Sequence, residues 1–67
     1  MIGVTINGQP REIAAGTTLQ ALIEELGLPA DGIASAIDRT VVPRSTYADT
    51  VLTDGMIIEI IRAVGGG

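Results

Sequence analysis

Hydrophobic and polar residues alternate through residues 1–7 of the chain. The residues at even positions are β-branched and apolar: Ile2, Val4 and Ile6. Because successive side chains of an extended strand point to opposite faces, this period of two predicts a half-buried strand. Asn7-Gly8 tolerates the positive φ angles of a tight hairpin turn, so residues 11–15 are predicted to return as a second strand. Pro10 lacks an N–H group to donate, which suits an edge strand.

The spacing of apolar residues changes after Gly16 and predicts one helix. Its apolar stripe falls at positions i, i+3, i+4 and i+7: Leu19, Leu22, Ile23 and Leu26. Thr17 followed three positions later by Gln20 has the form of a capping box, which predicts Thr17 as the N-cap. Gly27 is predicted to end the helix in the left-handed conformation, with Leu28 folding back as in a Schellman motif.

The second half of the chain contains short strand patterns separated by turn residues. The predicted segments are a strand over residues 33–37, a brief strand over 41–42, a helical turn over 45–49, a weak strand over 50–53 and a final strand over 56–64. The final strand is the most apolar and is therefore expected in the centre of the sheet, beside the first strand. One helix packed across one face of a mixed sheet makes an α+β roll, which is the predicted fold class.

The final strand is apolar on both of its faces, although one helix covers only one face of a sheet. If the alternation holds, Ile58 and Ile60 point toward the helix. The remaining apolar residues then point away from it: Ile57, Ile61 and Ala63. Loops or the long stems of arginines could cover these side chains, or they could form a docking surface, because uncovered aliphatic patches often mark interfaces. On the second interpretation, the candidate docking residues are Ile57, Ile61 and Arg62.

The composition argues against several classes of function. The chain of 67 residues has no cysteine, so it has no disulfide and no thiolate nucleophile. It also has no histidine, which is the commonest metal ligand in proteins. Eight acidic residues against four arginines give a formal net charge of −4, which argues against nucleic acid and anionic membrane as ligands. No apolar run reaches the ~20 residues of a membrane span. A small domain without disulfides is more typical of a reducing cytoplasm, where we therefore expect this chain.

The usual groups of an active site are largely missing from the sequence. A serine or threonine nucleophile needs a base, and neither histidine nor lysine is present. The neighbouring Glu24 and Glu25 point in different directions on a helix, which indicates a solvated face rather than a paired acid and base. The residues describe a small acidic domain with little catalytic equipment.

Three glycines follow the final strand and close the sequence: Gly65, Gly66 and Gly67. Glycine has the greatest backbone freedom, so residues 65–67 are expected to form a flexible tail that projects from a single domain over residues 1–64. A tail without Cβ atoms can enter a narrow tunnel and present its terminal carboxylate to the active site of another protein. There the carboxylate can be adenylated and then attacked by a sulfur or amine nucleophile. The alternative is an inert flexible end.

Several sequence segments, taken together, carry a resemblance to a known family. They are AAGTTL at residues 14–19, LIEEL at 22–26, AIDRTVVPR at 36–44, DGMIIEII at 54–61 and AVGGG at 63–67. In order, and over essentially the whole chain, they resemble the ThiS family of sulfur carriers in thiamin biosynthesis. The VVPR segment combined with a terminal Gly-Gly is the most specific part. The resemblance implies a ubiquitin-like β-grasp fold, which agrees with the predicted order of elements.

The resemblance also implies a carrier protein rather than an enzyme. A ThiF-like adenylyltransferase would activate the carboxylate of Gly67 with ATP, and a sulfur donor protein would convert it to a thiocarboxylate. The thiocarboxylate would then deliver sulfur to a ThiG-like thiazole synthase. Gly66 and Gly67 would take part in this chemistry and Gly65 would extend their reach. Such a carrier would need no cofactor of its own.

Two residues depart from the family pattern, and other interpretations stay open. Asp38 stands where the family often has asparagine, and Met56 stands where an acidic residue commonly follows Asp-Gly. The alternatives are the small subunit of molybdopterin synthase, a ubiquitin-like protein modifier, and a β-grasp interaction domain with an inert glycine tail. Arg62-Ala63-Val64 lacks the proline-rich character that is typical of the molybdopterin relatives in this position.

Overall fold

The computed structural model describes residues 1–28 and 32–62, in which the strands and helices lie close to their predicted positions. The strands are β1 (Ile2–Ile6), β2 (Gln9–Ile13), β3 (Ile33–Ile37), β4 (Thr40–Val42) and β5 (Ile57–Arg62). The α-helix α1 spans Leu19–Glu25, and a 3-10 helix spans Arg44–Asp49. Residues 63–67, which include Ala63 and the predicted glycine tail, lie outside the described residues.

The strands of the described chain form one mixed sheet in the order β2-β1-β5-β3-β4. β1 and β5 run parallel in the middle of the sheet, with Thr5 opposite Ile57 and Ile6 opposite Ile58. β2 pairs antiparallel with β1, and β3 pairs antiparallel with both β5 and β4. The central position of β5 beside β1 and the α+β class are therefore both confirmed.

Two tight turns connect the antiparallel hairpins. Asn7 and Gly8 join β1 to β2 with φ angles of 50° and 83°, as the sequence predicts. Asp38 and Arg39 join β3 to β4 with φ angles of 49° and 69°. Two successive residues at positive φ are typical of a type I′ turn, whose twist matches that of the paired strands. Pro10 lies in the edge strand β2, where a residue without an N–H group is tolerated.

The start of α1 corrects one sequence prediction, because its N-cap is Thr18 and not Thr17. The Thr18 hydroxyl oxygen accepts a hydrogen bond of 3.1 Å from the backbone N–H of Ala21. The Thr17 hydroxyl instead donates to the carbonyl oxygen of Ala14 at 2.7 Å, in the turn that precedes the helix. Since that local turn uses the Thr17 hydroxyl, the helix is capped one residue later.

The end of α1 is the Schellman motif that the sequence predicts. Gly27 lies in the left-handed region at φ 74°, and its N–H donates to the carbonyl oxygen of Glu24 at 3.0 Å. The N–H of Leu28 donates to the carbonyl oxygen of Ile23 at 3.2 Å. Leu28 is partly buried against the core, which supplies the hydrophobic contact that usually accompanies this motif.

The hydrophobic core lies between α1 and one face of the sheet. The helix contributes Leu19, Leu22 and Ile23, all of them buried. The strands contribute the buried side chains of Val4, Ile6, Ile13, Ile37, Ile58 and Ile60. Packing one helical stripe against one face leaves the other face of the sheet without a helix among the described residues.

The connection between β4 and β5 completes the core. Tyr47, in the 3-10 helix, and Leu52 are both almost fully buried. The weak strand predicted over residues 50–53 does not form, and Val51 makes only an isolated bridge to Thr18. A hydrogen bond of 2.9 Å from the Leu52 N–H to the carbonyl oxygen of Thr17 fixes Leu52 under the helix. Residues 50–53 therefore contribute one buried side chain, that of Leu52, and no regular strand.

Candidate functional site

The two faces of β5 differ sharply in exposure. Ile58 and Ile60 point toward α1 and are only 0% and 7% exposed. Ile57 and Ile61 point the other way and remain 53% and 65% exposed. The predicted orientation of these four side chains is confirmed, and no loop in residues 1–28 or 32–62 buries the outward pair.

The exposed isoleucines belong to a larger surface, which we call the open face. Its members on β3, β4 and β5, placed by strand register and alternation, are Ala34, Ala36, Val41, Ile57, Glu59 and Ile61, and Thr5 of β1 lies opposite Ile57 on the same face. Ala34 lies directly opposite Ile61, and Ala36 lies between Glu59 and Val41. Because alanine side chains are short, the longer Ile57, Ile61 and Val41 stand above them. Exposed apolar surface of this kind often marks an interaction site.

The Glu59 carboxylate interrupts the apolar part of the open face, and Asp38 and Arg39 lie at its edge beside Ile57. Glu59 lies between Ile57 and Ile61 along the same face of β5, since all three have the same parity in the strand. A partner that covers these isoleucines would also remove water from around the Glu59 carboxylate. A charge that is desolvated in this way requires a partner of opposite sign. The open face therefore favours an apolar surface that carries a basic group.

The last part of β5 extends beyond the end of β1. Ile58, opposite Ile6, is the last residue of β5 in the parallel register with β1. Residues 59–62 continue along β3, where Arg62 pairs with Ile33 at the start of that strand. Arg62 is exposed and, by alternation, lies on the face of the sheet opposite Ile61. Residues 63–67 follow Arg62 in the sequence.

The structure thus places only some of the predicted site residues. Ile57 and Ile61 share the open face, one on each side of Glu59, while Arg62 lies on the other face of the strand. Gly65, Gly66 and Gly67 lie outside the described residues. Sequence reasoning missed Val41 and Glu59 as members of the open face, although the alternation of their strands is the signal that could have found them.

Both residues that depart from the family pattern have a structural role. The carboxylate of Asp38 accepts a hydrogen bond of 3.1 Å from the N–H of Ile57, and the backbone N–H of Asp38 donates to the carbonyl oxygen of Ile57 at 2.8 Å. Asp38 therefore anchors the start of β5. Met56 is half-buried against the core, and its sulfur accepts a hydrogen bond from the N–H of Thr53. An apolar residue is suited to that position.

The described residues contain no cluster of three or more acidic side chains that could hold a metal ion. Across the same residues, the helices are too short to cross a membrane. What the described structure offers to other molecules is the open face, where exposed isoleucines lie beside the Glu59 carboxylate, on the strand that precedes residues 63–67 in the sequence.

Comparison with known proteins connects these features to one family. A sequence profile of the ThiS family matches residues 4–67. The chain is 34% identical to the sulfur carrier protein ThiS of Escherichia coli over 96% of its own length and 97% of that protein. It is 38% identical over 96% of its length to a thiazole synthase of Paramagnetospirillum magneticum. The chain spans only 20% of that thiazole synthase, and the same share of a second one.

The fold leads to the same family. The structure superposes on the crystal structure of the thiamine biosynthesis protein ThiS from Geobacter metallireducens with a TM-score of 0.85. The two chains share 25% sequence identity, and the match covers 98% of this chain and all of the other. The mixed sheet with one helix is therefore the ubiquitin-like β-grasp fold that the sequence predicts.

Proposed function

This chain belongs to the ThiS family of sulfur carriers, and we propose that it carries sulfur for thiamin thiazole synthesis on the terminal carboxylate of Gly67. The observation that carries the proposal is the match to a sulfur carrier over nearly the full length of both proteins. The fold adds support, because β5 lies at the centre of the sheet and the glycines follow it in the sequence after only two residues, Ala63 and Val64.

The proposed chemistry has two steps at the terminal carboxylate. In the first step, the carboxylate attacks the α-phosphorus of ATP in a ThiF-like adenylyltransferase, which forms an acyl adenylate and releases pyrophosphate. In the second step, a sulfur nucleophile attacks the acyl carbon and AMP leaves. With hydrosulfide as the nucleophile, the product is the thiocarboxylate. The acyl adenylate divides the difficult replacement of a carboxylate oxygen by sulfur into two easier steps, which is the usual advantage of a covalent intermediate.

Glycine suits the proposed tail for a steric reason. A side chain at residue 65, 66 or 67 would widen the segment that enters the active site of the activating enzyme. Gly66 and Gly67 would hold the reacting carboxylate, and Gly65 would extend their reach. On this proposal the chain is a co-substrate of other enzymes, which supply ATP binding and catalysis. Since ATP is needed, we place the reaction in the cytoplasm.

The open face is the proposed docking surface for these enzymes. Ile57 and Ile61 would be buried against an apolar region of the partner, and Glu59 would pair with a basic side chain there. Arg62, on the other side of the strand, would contact the rim. A thiazole synthase is a proposed partner because two thiazole synthases contain a segment similar to this chain. A ThiF-like enzyme and a sulfur donor protein are the other two.

The experiment that tests the proposal is a reconstituted loading reaction. The chain is incubated with a ThiF-like enzyme, ATP and sulfide, and intact-protein mass spectrometry follows its mass. We expect an adenylate without sulfide, and an exchange of oxygen for sulfur when sulfide is present. A reaction without ATP is the control. Absence of both mass changes would contradict the proposal.

Deletion of Gly67 provides the matched variant. It withdraws the carboxylate by about 3.3–3.6 Å, the span of one extended residue. Since a misplacement near 1 Å often costs about a hundredfold in rate, loading should be almost abolished. The melting temperature should not change, because the deletion alters none of the core residues of the described chain. Wild-type loading after deletion of both Gly66 and Gly67 would contradict the carrier mechanism and would mean that the glycine tail is inert.

A further inference from the structure

The side chain of Asn7 makes two hydrogen bonds to the backbone of one residue in β5. Its amide nitrogen donates to the carbonyl oxygen of Ile60 at 3.1 Å, and its amide oxygen accepts from the N–H of Ile60 at 2.8 Å. Both contacts are part-buried and join residues 53 positions apart in sequence. A primary amide supplies a donor and an acceptor side by side, which is what this pair of bonds requires.

This side chain takes the place of a missing strand residue. The backbone N–H of Asn7 donates to the carbonyl oxygen of Ile58 at 2.9 Å, in continuation of the parallel pairing of β1 and β5. At Asn7 the backbone turns into the hairpin with positive φ, so β1 supplies no further strand residue. The carboxamide then occupies the position of the next peptide group and pairs with Ile60.

The location of this contact gives it a consequence for the tail. Residues 59–62 of β5 are paired through the backbone with β3 on one side. On the other side, the Asn7 side chain holds Ile60, two residues before β5 ends at Arg62. A strand that is held from both sides has a fixed direction at its end. A strand held from one side alone can swing away from that direction.

We propose that Asn7 is a positioning residue for the C-terminal tail, which it aims by holding Ile60 on the β1 side of β5. The proposal rests on the carrier function stated above. In this role Asn7 does not touch the reacting atoms. It limits the directions in which the tail leaves the sheet, and therefore raises the fraction of docked carriers whose carboxylate reaches the α-phosphorus of ATP.

Two substitutions remove one or both of these hydrogen bonds and keep the turn. Asn7→Gly deletes the side chain, and glycine adopts positive φ without strain. Asn7→Asp keeps the acceptor for the Ile60 N–H but has no donor for the Ile60 carbonyl oxygen, and aspartate also tolerates the left-handed region. Thr18→Ala is the matched control, because it removes a hydrogen-bonding side chain of similar energetic value whose bond caps α1 and does not involve β5.

The test measures kcat and KM of the ThiF-like enzyme with each full-length variant as substrate. We expect both Asn7 variants to lower kcat by roughly ten- to a hundredfold, as misplacement of a reacting group does, with KM within about twofold. Hydrogen exchange at the Ile60 amide should accelerate in Asn7→Gly, and less in Asn7→Asp, which keeps the acceptor for that N–H. Thr18→Ala should lower the melting temperature to a similar extent and leave kcat unchanged.

The outcomes separate this role from the proposed function. A wild-type chain that is never adenylated would overturn the carrier function and this role with it. Normal wild-type loading together with unchanged kcat in both Asn7 variants would overturn the positioning role alone. A fall in kcat that Thr18→Ala reproduces would also overturn it, because the effect would then follow general stability.

Discussion

The two faces of β5 carry the same type of residue in opposite environments. Ile58 is fully buried beneath α1, whereas its neighbour Ile57 is 53% exposed on the open face. The sheet is hydrophobic on both sides in its centre, but α1 covers one side only. Hydrophobicity therefore serves folding on one face, and on the other it is available for binding. The position of the helix, and not the residue type, separates the two uses.

The largest expected effect comes from truncating the same residue type on each face. Ile58→Ala removes a side chain from the core and should lower the free energy of unfolding by about 2–5 kcal/mol. Ile57→Ala should lower it by less than about 1 kcal/mol, because water already reaches that side chain. Urea denaturation of the two variants measures the difference. Equal losses would contradict the division between the faces.

A smaller effect is expected from a buried hydroxyl on the helix side of β3. Ser35 is 2% exposed, lies opposite Ile60, and has no hydrogen-bond partner for its Oγ among the described residues. A buried polar group without a partner costs about 1–3 kcal/mol, so Ser35→Ala should stabilise the protein, by about 1 kcal/mol. The same method of denaturation measures the gain.

The neighbouring position on the open face supplies the control for that prediction. Ala34→Ser introduces the hydroxyl that Ser35→Ala removes, but at an exposed position where water can bond to it. We expect the free energy of unfolding to change by less than about 0.5 kcal/mol. Loss of stability in Ser35→Ala would mean that its hydroxyl has a partner in the native protein.

Much of the sheet could be predicted from sequence because its signals are local. The alternation in β5 predicts which isoleucines face the helix, and the residues around Gly27 predict how α1 ends. The choice between Thr17 and Thr18 as N-cap could not be predicted in this way. Both have a suitable hydroxyl, and the choice depends on a hydrogen bond from Thr17 to Ala14.

Contacts between distant residues were beyond sequence reasoning. The Asn7-Gly8 dipeptide predicts a turn, but it does not predict that the side chain of Asn7 forms hydrogen bonds with the backbone of Ile60. Leu52 lies in an irregular segment without periodicity, and yet it is 1% exposed. The role of the glycine tail is a different case. That role is inferred from the resemblance to the ThiS family and from the position of the glycines in the sequence, and the loading reaction is what tests it.

The most direct measurement compares docking and folding in a single open-face variant, Ile61→Asp. The substitution places a second carboxylate beside Glu59 on a face that is proposed to meet apolar and basic groups. We expect the free energy of unfolding to change by less than about 0.5 kcal/mol, because Ile61 is 65% exposed. We expect KM of the ThiF-like enzyme for this variant to rise at least about tenfold, as for a residue at the centre of an interface. Unfolding of the variant, or an unchanged KM with normal folding, would contradict the assignment of one face to folding and the other to binding.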